Sequence, residues 1–136
     1  MFITREADYA VRCVLHLAKS GGKIASVSEV STAMHVPKSF LAKILQKLAK
    51  AGIVGSARGA RGGFVLQKQP AEVSLYDVIF AIEGPDAFRI CSTGKGACSR
   101  TASCTVHPVW IKIRQQYENA LREQAFSTLI SQQRHA

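Results

Sequence analysis

The stretch SVSEVSTAMHVPKSFLAKILQKLAKAG, Ser26 to Gly52, contains two helix beginnings separated by one tight turn. Ser26-Val27-Ser28-Glu29 has the Ser-x-x-Glu form of a capping box, in which the two side chains satisfy backbone N–H groups at a helix start. A short helix from there runs to about His35. Val36-Pro37 interrupts it, because proline disfavours helical geometry in the residue before it and suits the first turn of a new helix. The second helix then runs to Gly52. Two helices joined by so short a turn form a helix-turn-helix. Helical spacing turns Phe40, Leu41, Ile44, Leu45 and Leu48 inward and leaves Lys38, Ser39, Ala42, Lys43, Gln46, Lys47 and Lys50 outward.

Upstream, Thr4 caps a helix whose apolar positions are Ala7, Ala10, Val11, Val14, Leu15 and Ala18, ended by Ser20-Gly21-Gly22. Downstream, strand-like pieces 53–56 and 63–67 flank Ala57-Arg58-Gly59-Ala60-Arg61-Gly62, whose glycines permit a hairpin tip carrying Arg58 and Arg61. A helix-turn-helix followed by a basic hairpin is a winged helix.

Ser74 caps a further helix with Leu75, Val78, Ile79 and Ile82 on one face, ending at Gly84-Pro85. The segment from Cys91 to Cys104 is rich in Gly, Ser and Thr and has no periodicity. Pro108 then starts a last long helix with Trp110, Ile113, Tyr117, Ala120, Leu121 and Leu129 near helical spacing. That apolar face exceeds what one small core needs, so part of it is a candidate dimer contact. The expected fold is mainly α: a winged helix-turn-helix DNA-binding domain over 1–84 with a two-strand wing, a cysteine-bearing loop over 85–107, and a long dimerisation helix over 108–136.

With 136 residues, the chain has room for one small domain, and 47% hydrophobic residues argue against a disordered basic tail. Charges appear at once in Met1-Phe2-Ile3-Thr4-Arg5-Glu6, with no apolar run for a signal peptide or membrane span, so a cytoplasmic chain is expected. No Ser-His-Asp set, paired carboxylates or phosphate-cradling loop stands out, and no enzyme is expected. The net charge of +9 calls for a polyanionic partner. Between Val30 and Ala71 there is no Asp or Glu, while Lys38, Lys43, Lys47, Lys50, Arg58, Arg61 and Lys68 fall on the helix and hairpin that would meet duplex DNA. Lysines neutralise phosphates, whereas Ser39, Lys43 and Gln46 are suited to reach base edges. Arg58 and Arg61 suit a narrow minor groove. The candidate DNA-contacting set is Lys38, Ser39, Lys43, Gln46, Lys47, Arg58 and Arg61.

Cys91, Cys98, Cys104 and His107 form a second constellation, with six, five and two residues between successive members. Zinc knuckles use closer pairs. An iron–sulfur cluster accepts thiolates spread around a larger inorganic core and tolerates a histidine at one iron. Cys13, inside the first helix, reads as a small core residue.

Ile3-Thr4-Arg5-Glu6-Ala7-Asp8-Tyr9-Ala10-Val11-Arg12, the wing Arg58 to Phe64, and Ser74 to Ile79 through Glu83-Gly84 resemble the bacterial IscR/NsrR/RirA family of iron–sulfur transcription regulators. The loop from Cys91 to Cys98 and the run Cys104-Thr-Val-His107-Pro-Val-Trp110 are most similar to the IscR branch, although the first interval is one residue longer than usual there. The resemblance implies a [2Fe-2S] cluster, preferred over [4Fe-4S], on Cys91, Cys98, Cys104 and His107. Asp8 matches the position from which the NsrR branch donates a carboxylate to the partner's cluster, and the spacing of His107 favours it over Asp8. The resemblance further implies a homodimer packed along the last helix, and two-fold symmetry then implies a pseudo-palindromic operator. The expected function is a regulator whose DNA affinity follows its cluster, which senses iron, redox state or nitric oxide. The alternatives are a cluster-free regulator reading a thiol metabolite or protein partner, and a small iron–sulfur electron carrier.

Overall fold

A computed structural model describes residues 3–57, 62–88 and 103–132. Helices α1 (Arg5–Lys19), α2 (Val27–Met34) and α3 (Lys38–Lys50) are followed by strands β1 (Val54–Ala57) and β2 (Gly63–Leu66), then α4 (Leu75–Glu83), α5 (His107–Arg122) and α6 (Phe126–Ser131). Short 3-10 turns occupy Pro70–Glu72 and Gly84–Phe88.

Local chemistry accounts for most of these boundaries. Thr4 caps α1 by accepting from the Ala7 N–H at 3.1 Å. Ser26 caps α2 in the same way, accepting from the Glu29 N–H at 3.1 Å. The other half of the expected box at Ser26 does not form: Glu29 instead sits 3.9 Å from His16 Nε2 on α1. A complete capping box forms at α4, where Ser74 and Asp77 exchange both hydrogen bonds. After α3, Gly52 takes φ +77°, a left-handed conformation that suits glycine at a helix end.

The first helix lies at the centre. Ala7, Ala10, Cys13, Val14 and Leu17 of α1 are fully buried against Val30, the Leu41–Ile44–Leu45–Leu48 face of α3, Val78 and Ile82 of α4, and Phe126. Strands β1 and β2 pair antiparallel in the register Val54↔Leu66 to Ala57↔Gly63. Ala25, just before α2, adds a third short edge through paired bonds of 2.8 Å to Phe64. Gly63 is needed there, because a Cβ at that position would come within 2.3 Å of the Ala25 carbonyl oxygen. The hairpin tip, with Arg58 and Arg61, lies outside the described residues.

Two expectations are corrected. Phe40 is not part of the inward face of α3. It is 45% exposed, and its ring packs edge-on against Tyr9 of α1 at 5.5 Å. The last helix is not continuous either. It begins at His107, with Pro108 in its first turn, and stops at Arg122. Residues 124–126 then pair with residues 73–75: Leu75 N–H donates to Gln124 O and Phe126 N–H to Val73 O, both at 2.9 Å. These bonds and the full burial of Phe126 outweigh one more helical turn in water. Residues 126–131 thus join the same core as α1.

Candidate nucleic-acid interface

The turn between α2 and α3 is held from three sides. His35 ends α2 in the left-handed region at φ 55° and ψ 45°, which reverses the chain within one residue. Ser31 Oγ donates to Val36 O at 2.7 Å, Val36 is buried, and Arg12 of α1 reaches Met34 O at 3.4 Å. The turn is thereby tied to both neighbouring helices.

At about 100° per residue, Ser39, Lys43, Gln46 and Lys50 fall within an arc of about 60° opposite the buried Leu41–Ile44–Leu45–Leu48 stripe. All four are exposed, and Lys38 is exposed at the first turn. This stripe has no carboxylate, so its field is uniformly positive or polar. Lys50 belongs to it as fully as the residues singled out in sequence, being seven residues beyond Lys43. The hairpin that would extend this surface starts at β1 and β2, with Arg58 and Arg61 outside the described residues.

Lys47 is placed differently. Its Nζ donates to Glu6 Oε1 at 2.8 Å and to Ile82 O at 3.4 Å, so it faces α1 and α4. The block 31–70 lacks acids along the chain, yet folding brings Glu6 to its edge. No pattern within α3 signals this pair. Asp8 is ion-paired with Arg12 at 2.8 Å, and Arg12 also lies over the Tyr9 ring at 5.7 Å.

Of the candidate cluster ligands, Cys91 and Cys98 lie outside the described residues. Cys104 is a half-buried free thiol just before α5, and His107 is the half-buried first residue of α5. Among the described residues no group of three or more His, Cys, Asp or Glu converges on one point. Cys13 contrasts with Cys104: it is fully buried, and burial pushes its thiol up to about 12. It is a core thiol. Among the described residues no helix is long and apolar enough to cross a membrane.

A helix-turn-helix with a two-strand wing and an acid-free outward stripe defines a winged-helix DNA-binding regulator. The sequence profile of the Rrf2 family, described as iron-dependent transcriptional regulators, matches residues 3–132, and the chain belongs to that family. It is 30% identical over 135 residues to the HTH-type transcriptional regulator IscR of Cronobacter sakazakii, a match covering 98% of this chain and 82% of that protein. Its fold is similar to that of CymR, the global cysteine regulator of B. subtilis, with a TM-score of 0.79 and 25% identity over 98% of this chain and 99% of that one. The fold is also shared with T. potens IscR, with a TM-score of 0.73 and 24% identity over 100% and 94% of the two chains. The chain is a transcriptional regulator, not an enzyme, and regulators of this family bind DNA.

Proposed function

We propose that this Rrf2-family regulator binds a pseudo-palindromic operator as a homodimer, and that an iron–sulfur cluster on Cys91, Cys98, Cys104 and His107 sets its DNA affinity. The observation that carries the DNA-binding part is the exposed stripe Ser39–Lys43–Gln46–Lys50 on the second helix of the helix-turn-helix. Lys38, Lys43 and Lys50 neutralise phosphates, Ser39 and Gln46, with Lys43 beside them, reach base edges, and Arg58 and Arg61 enter the minor groove. Dimerisation is supported by Val106, Val109, Trp110 and Ile113, exposed apolar residues at helical spacing along the start of α5.

The donor set fits the cluster chemically. Three thiolates and one imidazole suit a [2Fe-2S] group better than [4Fe-4S], and Cys104 and His107 stand three residues apart where α5 begins. When bound, the cluster supplies a redox- and iron-dependent tie between the 89–104 segment and α5. The residues of the chain supply the rest: Cys104 and His107 anchor that tie to α5, and the α1–α3–α4 core presents the DNA-reading stripe. Asp8 is the weaker candidate for the fourth ligand because Arg12 already engages its carboxylate. A cluster-free regulator reading a thiol metabolite is the second reading, favoured by the likeness to CymR, whose name describes a cysteine regulator.

Anaerobic reconstitution with iron and sulfide, followed by visible and Mössbauer spectroscopy, decides between the two. A colourless product, or a spectrum unchanged when Cys91, Cys98 and Cys104 are all replaced by Ser, removes the cluster. The DNA part rests on titrations against salt: Lys43→Met should lower the slope of log K against log salt by about 0.9.

A further inference from the structure

The side of α3 that faces α1 carries two contacts, to α1 residues about one turn apart. Phe40 meets Tyr9 at 5.5 Å, and Lys47, seven residues later, meets Glu6, three residues before Tyr9, at 2.8 Å. The two helices therefore touch in antiparallel order, with an aromatic contact at one end and an ion pair at the other. Lys47 also donates to Ile82 O, in the last turn of α4, at 3.4 Å. One ammonium thus joins three helices. The neighbouring Thr4 hydroxyl donates to the Glu83 carboxylate, closing the junction of α1 with α4.

We infer that Lys47 is a positioning residue that sets the roll of α3 about its own axis, and does not itself contact DNA phosphate. The geometry separates the roles. On the helical wheel Lys47 lies about 70° from the middle of the Ser39–Lys43–Gln46–Lys50 stripe, on the flank of Phe40 and Ile44. Its side chain is 33% exposed and that of Glu6 27%, so water screens the pair less than it screens the outward lysines. Glu6 and the Ile82 carbonyl take two of the three Lys47 N–H donors, and the carboxylate offsets the charge that a phosphate would otherwise draw. A small rotation of α3 would move base-reading atoms at the helix surface out of hydrogen-bond range, because their radius from the axis multiplies the angle. Loss of the clasp should therefore harm sequence reading more than phosphate attraction.

This inference rests on the proposal that α3 reads DNA, and its test separates the two. Duplexes selected by the wild-type protein from a random library are compared with a mixed-sequence duplex, at several salt concentrations, for wild type, Lys47→Met, Glu6→Gln, the double variant and Lys43→Met. Circular dichroism melting checks that each variant is folded at the assay temperature. The expected result is that Lys47→Met and Glu6→Gln each lower the ratio of selected to mixed-sequence affinity by about five- to tenfold, with the double variant no worse than either single one. Their salt slopes stay at the wild-type value. A slope reduced by about 0.9 in Lys47→Met, with both duplexes weakened equally, makes Lys47 a phosphate contact and overturns the inference. Tighter binding by Glu6→Gln overturns it too, since freeing the ammonium would then help DNA. Folded variants with an unchanged affinity ratio reduce the pair to a purely structural role. If wild type selects no duplex, or Lys43→Met keeps the full salt slope, the failure lies with the reading of α3 as the DNA-contacting helix.

Discussion

Replacing Phe126 by Ala tests the turn of chain that brings the C-terminal segment back to the core. Phe126 is fully buried, and it packs where α6 meets α1 and the Val73–Leu75 segment. The transfer of a phenylalanine side chain out of water is worth about 2–3 kcal/mol, and the cavity left by a lost ring adds about 1–2, so the variant should lose about 3–5 kcal/mol. At about 2.1 cal/mol/K of unfolding entropy per residue, a loss near 4 kcal/mol over this chain corresponds to a Tm lower by about 14 °C. Urea unfolding and thermal melting followed by circular dichroism, at one fixed protein concentration, measure both quantities. If α5 instead ran on unbroken, Phe126 would stand about 160° around the axis from Trp110, away from the apolar stripe, and its loss would cost under about 0.5 kcal/mol. A measured loss below about 1 kcal/mol would refute the broken helix and the shared core.

Ser74→Ala removes one arm of the capping box at α4 and leaves the Asp77 N–H without its acceptor, so about 1–2 kcal/mol of stability should go, read by the same urea titration. Ile113→Lys places a charge on the exposed apolar stripe of α5; on the proposed homodimer it should give monomers where the wild type sediments as a dimer in sedimentation-velocity runs, while circular dichroism keeps its helical signal. Cys13 yields a pH dependence of known sign. Its folded value of about 12 exceeds the ordinary value of 9.0, so below about pH 9 both states hold the proton and stability is unaffected. Between about 9 and 12 the unfolded chain releases a proton that the folded protein keeps, and stability falls by up to about 1.4 kcal/mol per pH unit. Cys13→Ala should flatten that alkaline limb, and a limb equally steep in the variant contradicts the assignment.

Much of the architecture is legible in local pattern. The caps at Thr4, Ser26 and Ser74, the break at Val36-Pro37 and the spacing of Leu41, Ile44, Leu45 and Leu48 are relations between residues a few positions apart, and hydrogen bonds and helix periodicity act over that range. The outward stripe of α3 follows from the same periodicity, which is why Ser39, Lys43 and Gln46 emerge on one arc. The candidate cluster set was legible as residue types and spacing, and the family match extends over the region that carries it.

The sequence by itself determined where α1 to α4 begin, the Leu41–Ile44–Leu45–Leu48 face of α3, the wing pairing and the core thiol at Cys13, and its match over residues 3–132 places the chain in the Rrf2 family. Only the tertiary structure decided that Phe40 leaves the core for Tyr9, that Glu29 turns from its own cap toward His16, that α5 stops at Arg122, and that Lys47 points to Glu6. Each of these outcomes pits a local preference against a partner far along the chain. No Gly or Pro marks the end of α5; the backbone pairing with residues 73–75 and the burial of Phe126 end it. Likewise an ammonium on a basic helix looks available to DNA until folding sets a carboxylate from α1 within 2.8 Å of it.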